Sequence, residues 1–297
     1  MFDTIIVAGS YAGLAAGMAL GRALKTVLII DDGKPCNRQT PHSHNFLTND
    51  GKSPAEIADI AHIQVKKYAS IKFSTGLVIS GSKTENGFEV RLSGGEIFTA
   101  KKLIFATGIR DKLPEIEGFA ACWGISVIHC PYCHGYEVRN EKTAFLGNGD
   151  PGFDFSRLIF NWTKDLSLLT NGSSKLTVEQ KKNLEAHQID IIEKEIERLE
   201  HVDGNLQNII FRNGTKFSVK ALYAPSPFEQ QCKIPEMLGS ALTEDGYIQV
   251  DAFQETSVPG VYACGDNTNR LRTVANAVAT GTTAGMASGK KMILEEF

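Results

Sequence analysis

Short apolar runs and helical patterns alternate along the chain and are separated by glycine turns. The apolar runs predict buried strands, and the longer stretches with helical spacing predict the helices between them. The order strand, helix, strand is predicted twice, at residues 4–8, 14–24 and 26–30 and again at residues 143–146, 153–162 and 166–169. Strands that alternate with helices in this way form parallel sheets. The pattern therefore predicts an α/β protein.

A glycine-containing turn, residues 8–13, joins the first predicted strand to its helix, and Asp31 and Asp32 close the next strand. Such a turn lets backbone N–H groups approach a pyrophosphate, and an acid about 20 residues further on can bind a ribose hydroxyl. Ala8 and Ser10 stand at two of the three usual glycine positions. The turn is thus compatible with a dinucleotide site and also with a plain crossover between strands.

A second turn carries all three glycines of this fingerprint: Gly147, Gly149 and Gly152. Superposing Gly152 on Gly13 places Thr170 where the first copy has Asp31. Two copies of one nucleotide-binding fold are a stronger signal than either turn alone. The second copy lacks the acid that would bind a ribose hydroxyl, and no arginine cluster follows it. It therefore predicts a place for pyrophosphate with little to select NAD or NADP.

The hexapeptide 129–134 carries the candidate chemistry. Cys130 and Cys133 are spaced to share one helical turn and to form a disulfide, and Pro131 suits the first turn of a helix. His134 follows the second sulfur directly and is placed to give or take its proton. These residues predict a redox dithiol.

Two other interpretations of this segment remain open at this point, haem attachment and half of a zinc site. Haem attachment requires export, and a structural zinc usually needs a second ligand pair at short spacing. No second Cys-x-x-Cys is present, and no metal site is predicted. The four other cysteines are predicted to be small buried residues: Cys36, Cys122, Cys232 and Cys264.

Composition limits the partners. The 297 residues suffice for two domains, and a net charge of −3 with both signs scattered gives no reason to expect nucleic acid or a membrane surface. No apolar run approaches the length of a membrane span. The chain enters a strand with no basic leader, which predicts a cytoplasmic protein. His42 and His44 lie in the polar stretch 33–51 and are predicted to be surface or loop residues.

Near the C-terminus, an apolar strand at residues 260–264 ends in Gly265 and Asp266. This pairing puts a backbone N–H and a carboxylate at the carboxyl edge of a sheet, where the ribityl and phosphate groups of a cofactor would lie. A turn with a capping aspartate before the helix that starts at Thr273 is the alternative.

Together these motifs resemble the low-molecular-weight thioredoxin reductase family over almost the whole chain. The resemblance implies an α/β protein of two Rossmann-like domains of the three-layer ββα type, with the second inserted in the first. The FAD-binding domain would comprise residues 1–113 and 242–297, and residues 114–241 would form a pyridine-nucleotide-type domain that carries the dithiol. A homodimer is implied as well.

The resemblance also implies roles for single residues. Cys133 would be the flavin-proximal thiol, Cys130 the exchange thiol and His134 the proton carrier. Val274 stands where the family usually has Gln, so only its backbone could contact the flavin. The implied FAD contacts are Gly9, Ser10, Ala12, Gly13, Asp31 or Asp32, Asn45, Thr107, Gly108, Gly265, Asp266 and Val274.

Two positions depart from the family pattern. His134 replaces the usual Asp after the dithiol, and residues 170–172 replace a basic His-Arg-Arg signature. Both departures resemble the dithiol oxidases that close gliotoxin and holomycin disulfides with FAD and without nicotinamide. The chain is thus predicted to be an FAD-dependent dithiol–disulfide oxidoreductase acting on a small dithiol or a thioredoxin-like protein. The alternatives are an NADPH- or NADH-dependent thioredoxin reductase and a non-enzymatic redox sensor.

Overall fold

Two parallel sheets of similar strand order organise the chain in the computed structural model, which describes all residues from Met1 to Phe297. The strands are β1 (Phe2–Val7), β2 (Val27–Asp31), β3 (Ile71–Thr75), β4 (Val78–Thr84), β5 (Gly87–Leu92), β6 (Ile97–Phe105), β7 (Ile109–Asp111), β8 (Val127–Ile128), β9 (Thr143–Leu146), β10 (Leu166–Leu169), β11 (Asp190–Ile192), β12 (Ile196–Val202), β13 (Asn205–Phe211), β14 (Lys216–Phe217), β15 (Ala221–Tyr223), β16 (Phe228–Gln230) and β17 (Val261–Ala263). The helices are α1 (Tyr11–Arg22), α2 (Pro54–Val65), α3 (Phe119–Cys122), α4 (Pro131–His134), α5 (Gly149–Ile159), α6 (Val178–Ala186), α7 (Ile234–Met237) and α8 (Val274–Glu296).

The chain divides into two units by its internal contacts. The first comprises Met1–Arg38, Asn45–Arg110 and Phe228–Phe297, and the second comprises Gln39–His44 and Asp111–Pro227. The main crossings therefore lie at 110/111 and 227/228, whereas the resemblance predicted them at 113/114 and 241/242. The later boundary differs because α7 packs on the first unit, where Ile234 is buried in the same apolar cluster as Phe88 and Val90.

In the first unit, β1, β2, β3, β6 and β17 run parallel, and β4 and β5 extend the sheet antiparallel to β6. One edge of β6 pairs with β5 along residues 97–100 and with β17 along residues 103–105. Alternate residues of β1 enter different apolar clusters, Ile5 and Val7 on one face and Ile6 on the other. Both faces of the parallel part are thus covered, as parallel sheets require.

Helix α8 packs closely against α1 because glycines line the contact. A methyl group on Gly281 would lie 2.1 Å from the carbonyl oxygen of Ala12, and one on Gly285 would lie 2.4 Å from that of Ala16. The backbones can approach this closely only without a Cβ. The contact fixes the start of α1, which follows the first glycine turn.

In the second unit, the sheet order β11-β10-β9-β15-β8 is parallel throughout and matches the order β3-β2-β1-β6-β17 of the first. A small antiparallel sheet, β12-β13-β14, precedes β15. The predicted α/β fold with two Rossmann-like copies, one inserted in the other, is confirmed. None of the helices combines the length and apolar character that crossing a lipid bilayer requires.

Candidate active site

The two cysteines of the predicted dithiol lie in one turn after β8. Cys130 precedes α4 as its N-cap residue, Pro131 is the first helical residue, and the N–H groups of Cys133 and His134 both donate to the Cys130 carbonyl at 3.2 Å. The two Sγ atoms are 2.7 Å apart, and both cysteines are half-buried. The pair can therefore form and break a disulfide with little movement of the backbone.

The ring of His134 lies in the same turn and is half-buried. Burial lowers its pKa below the usual value, Glu137 opposes this shift, and His44 reinforces it. A histidine with an ordinary pKa near 6.5 is already mostly neutral at pH 7. The lowered pKa keeps the ring neutral and able to accept a proton there.

A short segment from elsewhere in the chain contributes to this region. Residues Gln39–His44 belong to the second unit although both flanking stretches belong to the first. The Nε2 atom of His44 lies 3.5 Å from Oε1 of Glu137, and the rings of His44 and His134 meet edge-on with centroids 6.4 Å apart. His44 lies in a loop, as predicted, and this loop brings it to the dithiol turn.

Tyr223, at the end of β15, is a further buried residue near this turn. Its side chain is 2% exposed, and its hydroxyl makes no hydrogen bond within the protein. Burial raises its pKa, and the negative charges of Glu137 and of an ionised Cys130 raise it further. The phenol therefore stays protonated at physiological pH.

The first glycine turn leaves the start of α1 open. A methyl group on Gly13 would lie 2.0 Å from the carbonyl oxygen of Ala8, so only glycine fits there. Ser10 is the N-cap residue but makes no side-chain hydrogen bond to the helix, and the first turn carries no acidic residue. Free N–H groups at a helix start bind anions such as a pyrophosphate. Asp31 lies beside the turn: a Cβ added to Gly9 would be 3.1 Å from the Cβ of Asp31.

The other predicted cofactor residues of the first unit follow the carboxyl ends of parallel strands or flank the loops there. Thr107 and Gly108 follow β6, and Gly265, whose N–H donates to the Thr280 hydroxyl at 3.0 Å, follows β17. The remaining predicted residues are Asp32 after β2, Asp266 after Gly265, Val274 at the start of α8, Ala12 in the first turn of α1, and Asn45 in the loop before α2.

A polar residue that was not predicted from the sequence, Asn267, lies at the same edge of the sheet. Asn267 is fully buried, and its amide nitrogen donates to the Phe105 carbonyl at 2.9 Å and approaches the Thr107 hydroxyl at 3.5 Å. Its amide oxygen has no hydrogen-bond partner in the protein. A buried acceptor without a partner is costly unless a ligand or water satisfies it. The open helix start, the Gly13 contact and this orphaned oxygen fit a dinucleotide cofactor at this edge.

The second glycine turn differs, because its own side chains close it. Oδ1 of Asn148 accepts hydrogen bonds from the N–H groups of Gly149 at 2.9 Å and Lys175 at 2.7 Å. Asp150 adds a carboxylate to the first turn of α5 and accepts a hydrogen bond from Gln180 at 2.7 Å. A side-chain cap and a carboxylate at the helix start disfavour a pyrophosphate beside Gly147, Gly149 and Gly152.

A sequence profile of the pyridine nucleotide-disulphide oxidoreductase family matches residues 2–281 of this chain. The chain belongs to this family. Its relatives include the thioredoxin reductase tcpT of Claviceps purpurea, which is 30% identical over 99% of this chain and 95% of its own length. As a member, the protein is a thioredoxin reductase-like oxidoreductase of thiols and disulfides, and FAD is the cofactor that the family implies.

Solved structures agree with this membership. The putative thioredoxin reductase TrxB of Bacillus anthracis superposes with a TM-score of 0.95 at 28% identity and covers 100% of both chains. The crystal structure of HlmI superposes with a TM-score of 0.93 at 29% identity, covering 99% of this chain and 93% of that one. The predicted family is therefore confirmed.

The cysteines outside the pair have different environments in this family member. Cys122 and Cys264 are buried, as predicted, and burial raises the pKa of Cys264 to about 12. The prediction was wrong for Cys36, which is exposed, and Cys232 is only half-buried. The structure contains no group of three or more His, Cys, Asp or Glu side chains that could hold a metal ion.

Sequence reasoning did not find His44, Glu137, Tyr223 or Asn267. His44 is separated from His134 by 90 positions in the sequence and lies in a stretch without regular structure. Tyr223 reads as an ordinary core residue of an apolar strand. Only Asn267 had a local signal, since it directly follows the Gly265-Asp266 pair.

Proposed function

We propose that Cys130 and Cys133 exchange electrons with a thiol or disulfide substrate, with His134 as the proton carrier. The main support is the 2.7 Å separation of the two sulfurs in a turn that also holds a neutral histidine. A neutral imidazole beside a thiol can take the proton whose removal produces the reactive thiolate.

The exchange step balances within the chain's own residues. In the oxidising direction, a substrate thiolate attacks the Cys130 sulfur of the disulfide form and releases Cys133 as a thiolate. The second substrate thiol gives its proton to His134 and attacks the first substrate sulfur, which releases Cys130. Starting from the monothiolate, the substrate loses two electrons and one proton; the cysteine pair gains the two electrons as two thiolates, His134 takes the proton, and the reverse sequence reduces a disulfide.

We propose that the carboxyl edge of the first sheet holds FAD. The N–H groups at the start of α1 would bind its pyrophosphate, and an acid at the end of β2 would bind its ribose. When bound, FAD would accept the electron pair of the reduced cysteines or supply it in the reverse direction. The residues proposed for this site are Gly9, Ser10, Ala12, Gly13, Asp31, Asp32, Asn45, Thr107, Gly108, Gly265, Asp266 and Val274.

Replacing either cysteine of the pair tests this function. Cys130→Ser and Cys133→Ser proteins should retain bound flavin, as seen in the visible spectrum, and should lose oxidation of dithiothreitol. Cys36→Ser is the matched control, because Cys36 is exposed and lies outside the pair. Dithiol turnover at the wild-type rate in either pair variant would contradict the proposal.

The NADPH-dependent thioredoxin reductase is the second candidate, and the three glycines of the second turn favour it. The Asn148 cap and the Asp150 carboxylate oppose it. Under argon, NADPH and NADH should leave the flavin absorption unbleached over the time in which dithiothreitol bleaches it. Rapid bleaching by either nucleotide would support the second candidate instead.

The partners follow from the surroundings of the pair and from the resemblance. Tyr132 and Tyr136 neighbour the cysteines and are 65% and 64% exposed, and Tyr132 packs edge-on against Trp162. Exposed aromatic rings of this kind provide an apolar contact for a small dithiol or for a thioredoxin-like protein. The resemblance alone supports a homodimer, whose mass in solution sedimentation velocity can measure.

A further inference from the structure

The segment Gln39–His44 brings one ionisable side chain to the dithiol turn. His44 contacts Glu137 at 3.5 Å and presents its ring edge-on to His134. The side chains of His44 and Glu137 are 21% and 41% exposed, so both reach solvent. When His44 is protonated, an ion pair with this much exposure contributes little to stability. Stability alone therefore does not account for the arrangement.

We propose that His44, held in place by Glu137, is a positioning residue that receives the thiol proton from His134 and releases it to solvent. This inference rests on the proposed role of the cysteine pair and of His134. With the rings edge-on and their centroids 6.4 Å apart, a proton can pass between ring nitrogens through one bridging water. No electron moves in this step, and the proton passes from the thiol to His134, then to His44, and then to water.

The charges around His134 give the relay a measurable signature. Glu137 raises the pKa of His134, and His44 lowers it. The other ionisable groups nearby are the two thiols of the pair in the same turn, Tyr223 on β15, and His42, whose ring lies 6.3 Å from that of His44. Removing His44 should raise the pKa of His134, and removing the Glu137 carboxylate should lower it. Removing the two partners of this contact one at a time is thus predicted to shift the pKa of His134 in opposite directions.

The first measurement is an NMR titration of the histidine rings in the reduced holoprotein. The His134 signal is assigned by its loss in His134→Gln. His44→Gln should raise the pKa of this signal and Glu137→Gln should lower it. His42→Gln is the matched control from the same segment and should leave it unchanged. Equal behaviour of His44→Gln and His42→Gln would overturn the proposal.

The second measurement is single-turnover bleaching of the flavin by dithiothreitol under argon at pH 6.5. We expect His44→Gln to slow it by about tenfold, a part of the 10²–10⁴-fold that positioned acid–base groups contribute. Added imidazole should restore the rate by carrying the proton, which it could not do for a structural defect. A purely electrostatic role predicts no slowing, because removing His44 makes His134 a better base.

The outcomes of these experiments test the His44 relay separately from the proposed function of the cysteine pair. If dithiothreitol bleaches the wild-type flavin and Cys130→Ser abolishes the bleaching, the proposed function stands. An unchanged rate in His44→Gln, or a slowed rate that imidazole does not restore, then overturns the relay alone. The flavin content and thermal midpoint of each variant identify any that fail to fold, and Glu137→Gln supplies the second test in that case.

Discussion

Burial distinguishes the six cysteines from one another at the residue scale. Cys264 is fully buried with a pKa of about 12, and burial also raises the pKa of Cys122 and Cys232. Cys36 is exposed. Because the thiolate is the nucleophile, a raised pKa and a closed surface both suppress reaction. The chain thus keeps Cys122 and Cys264 inside its apolar clusters and packs Cys232 against another cluster.

Alkylation of the reduced native protein tests this distinction. At pH 8, a thiol with a pKa of about 12 has roughly one in 10⁴ molecules ionised. Iodoacetamide should therefore label Cys36 while leaving Cys264 and Cys122 unlabelled, as read by peptide mass spectrometry. The same protein in urea should be labelled at all six cysteines. Native labelling of Cys264 as fast as Cys36 would contradict the assigned burial.

At the scale of elements, α1 and α5 occupy equivalent places in the two copies of the fold, but the residues at their N-terminal ends differ. The first begins without a side-chain cap or an acid, and the second begins with the Asn148 cap and Asp150. The Asn148 side chain satisfies the Gly149 N–H at the start of α5, whereas no side chain caps the start of α1. The two copies thus share a backbone pattern and differ in the side chains at the helix start.

Alanine substitutions at the two equivalent glycines test this difference. In Gly13→Ala the new Cβ would lie 2.0 Å from the Ala8 carbonyl oxygen, whereas in Gly152→Ala the nearest atom would be at 3.1 Å. Overpacking costs about 1–3 kcal/mol, which would weaken FAD binding roughly 5- to 150-fold if expressed in binding. The flavin-to-protein absorbance ratio should fall in Gly13→Ala and stay unchanged in Gly152→Ala. Equal flavin content in both would contradict an FAD role for the first turn.

Local patterns predicted most elements, and their errors have physical causes. Ser53 and Pro54 predict the start of α2, where the Ser53–Glu56 capping box is present. The apolar pattern over residues 71–80 predicts one strand, but the chain breaks at Gly76, whose N–H donates to the Asp31 carbonyl. A turn that depends on a partner 45 positions away leaves no local signal.

At the scale of the whole molecule, the repeat predicted the architecture because each sheet is assembled mostly from contiguous strand–helix–strand units. The origins of the fifth strands were harder to predict, since β17 follows the inserted unit and β8 precedes its own glycine turn. The carboxyl ends of β1, β2, β6 and β17 collect the predicted cofactor residues at one edge, as parallel pairing requires. That grouping was accessible from the sequence through strand order.

The position of His44 beside the dithiol could not be predicted from the sequence in the same way. Residues Gln39–His44 have no regular structure, and their membership of the second unit depends on tertiary contacts such as those of Gln39 and Thr40 with Gly124. No periodicity or motif marks such contacts. Sequence reasoning thus found the residues that one motif supplies and missed the one that a distant segment supplies.

The unit that carries the cysteines cannot be excised intact as one uninterrupted stretch of the gene. A fragment encoding residues 111–227 would keep β8 to β15 and both sulfurs, but it would leave His44 behind. The contacts of that ring with Glu137 and His134 would be lost. A transplant of this dithiol that keeps them therefore has to bring a second, separate peptide of six residues with it.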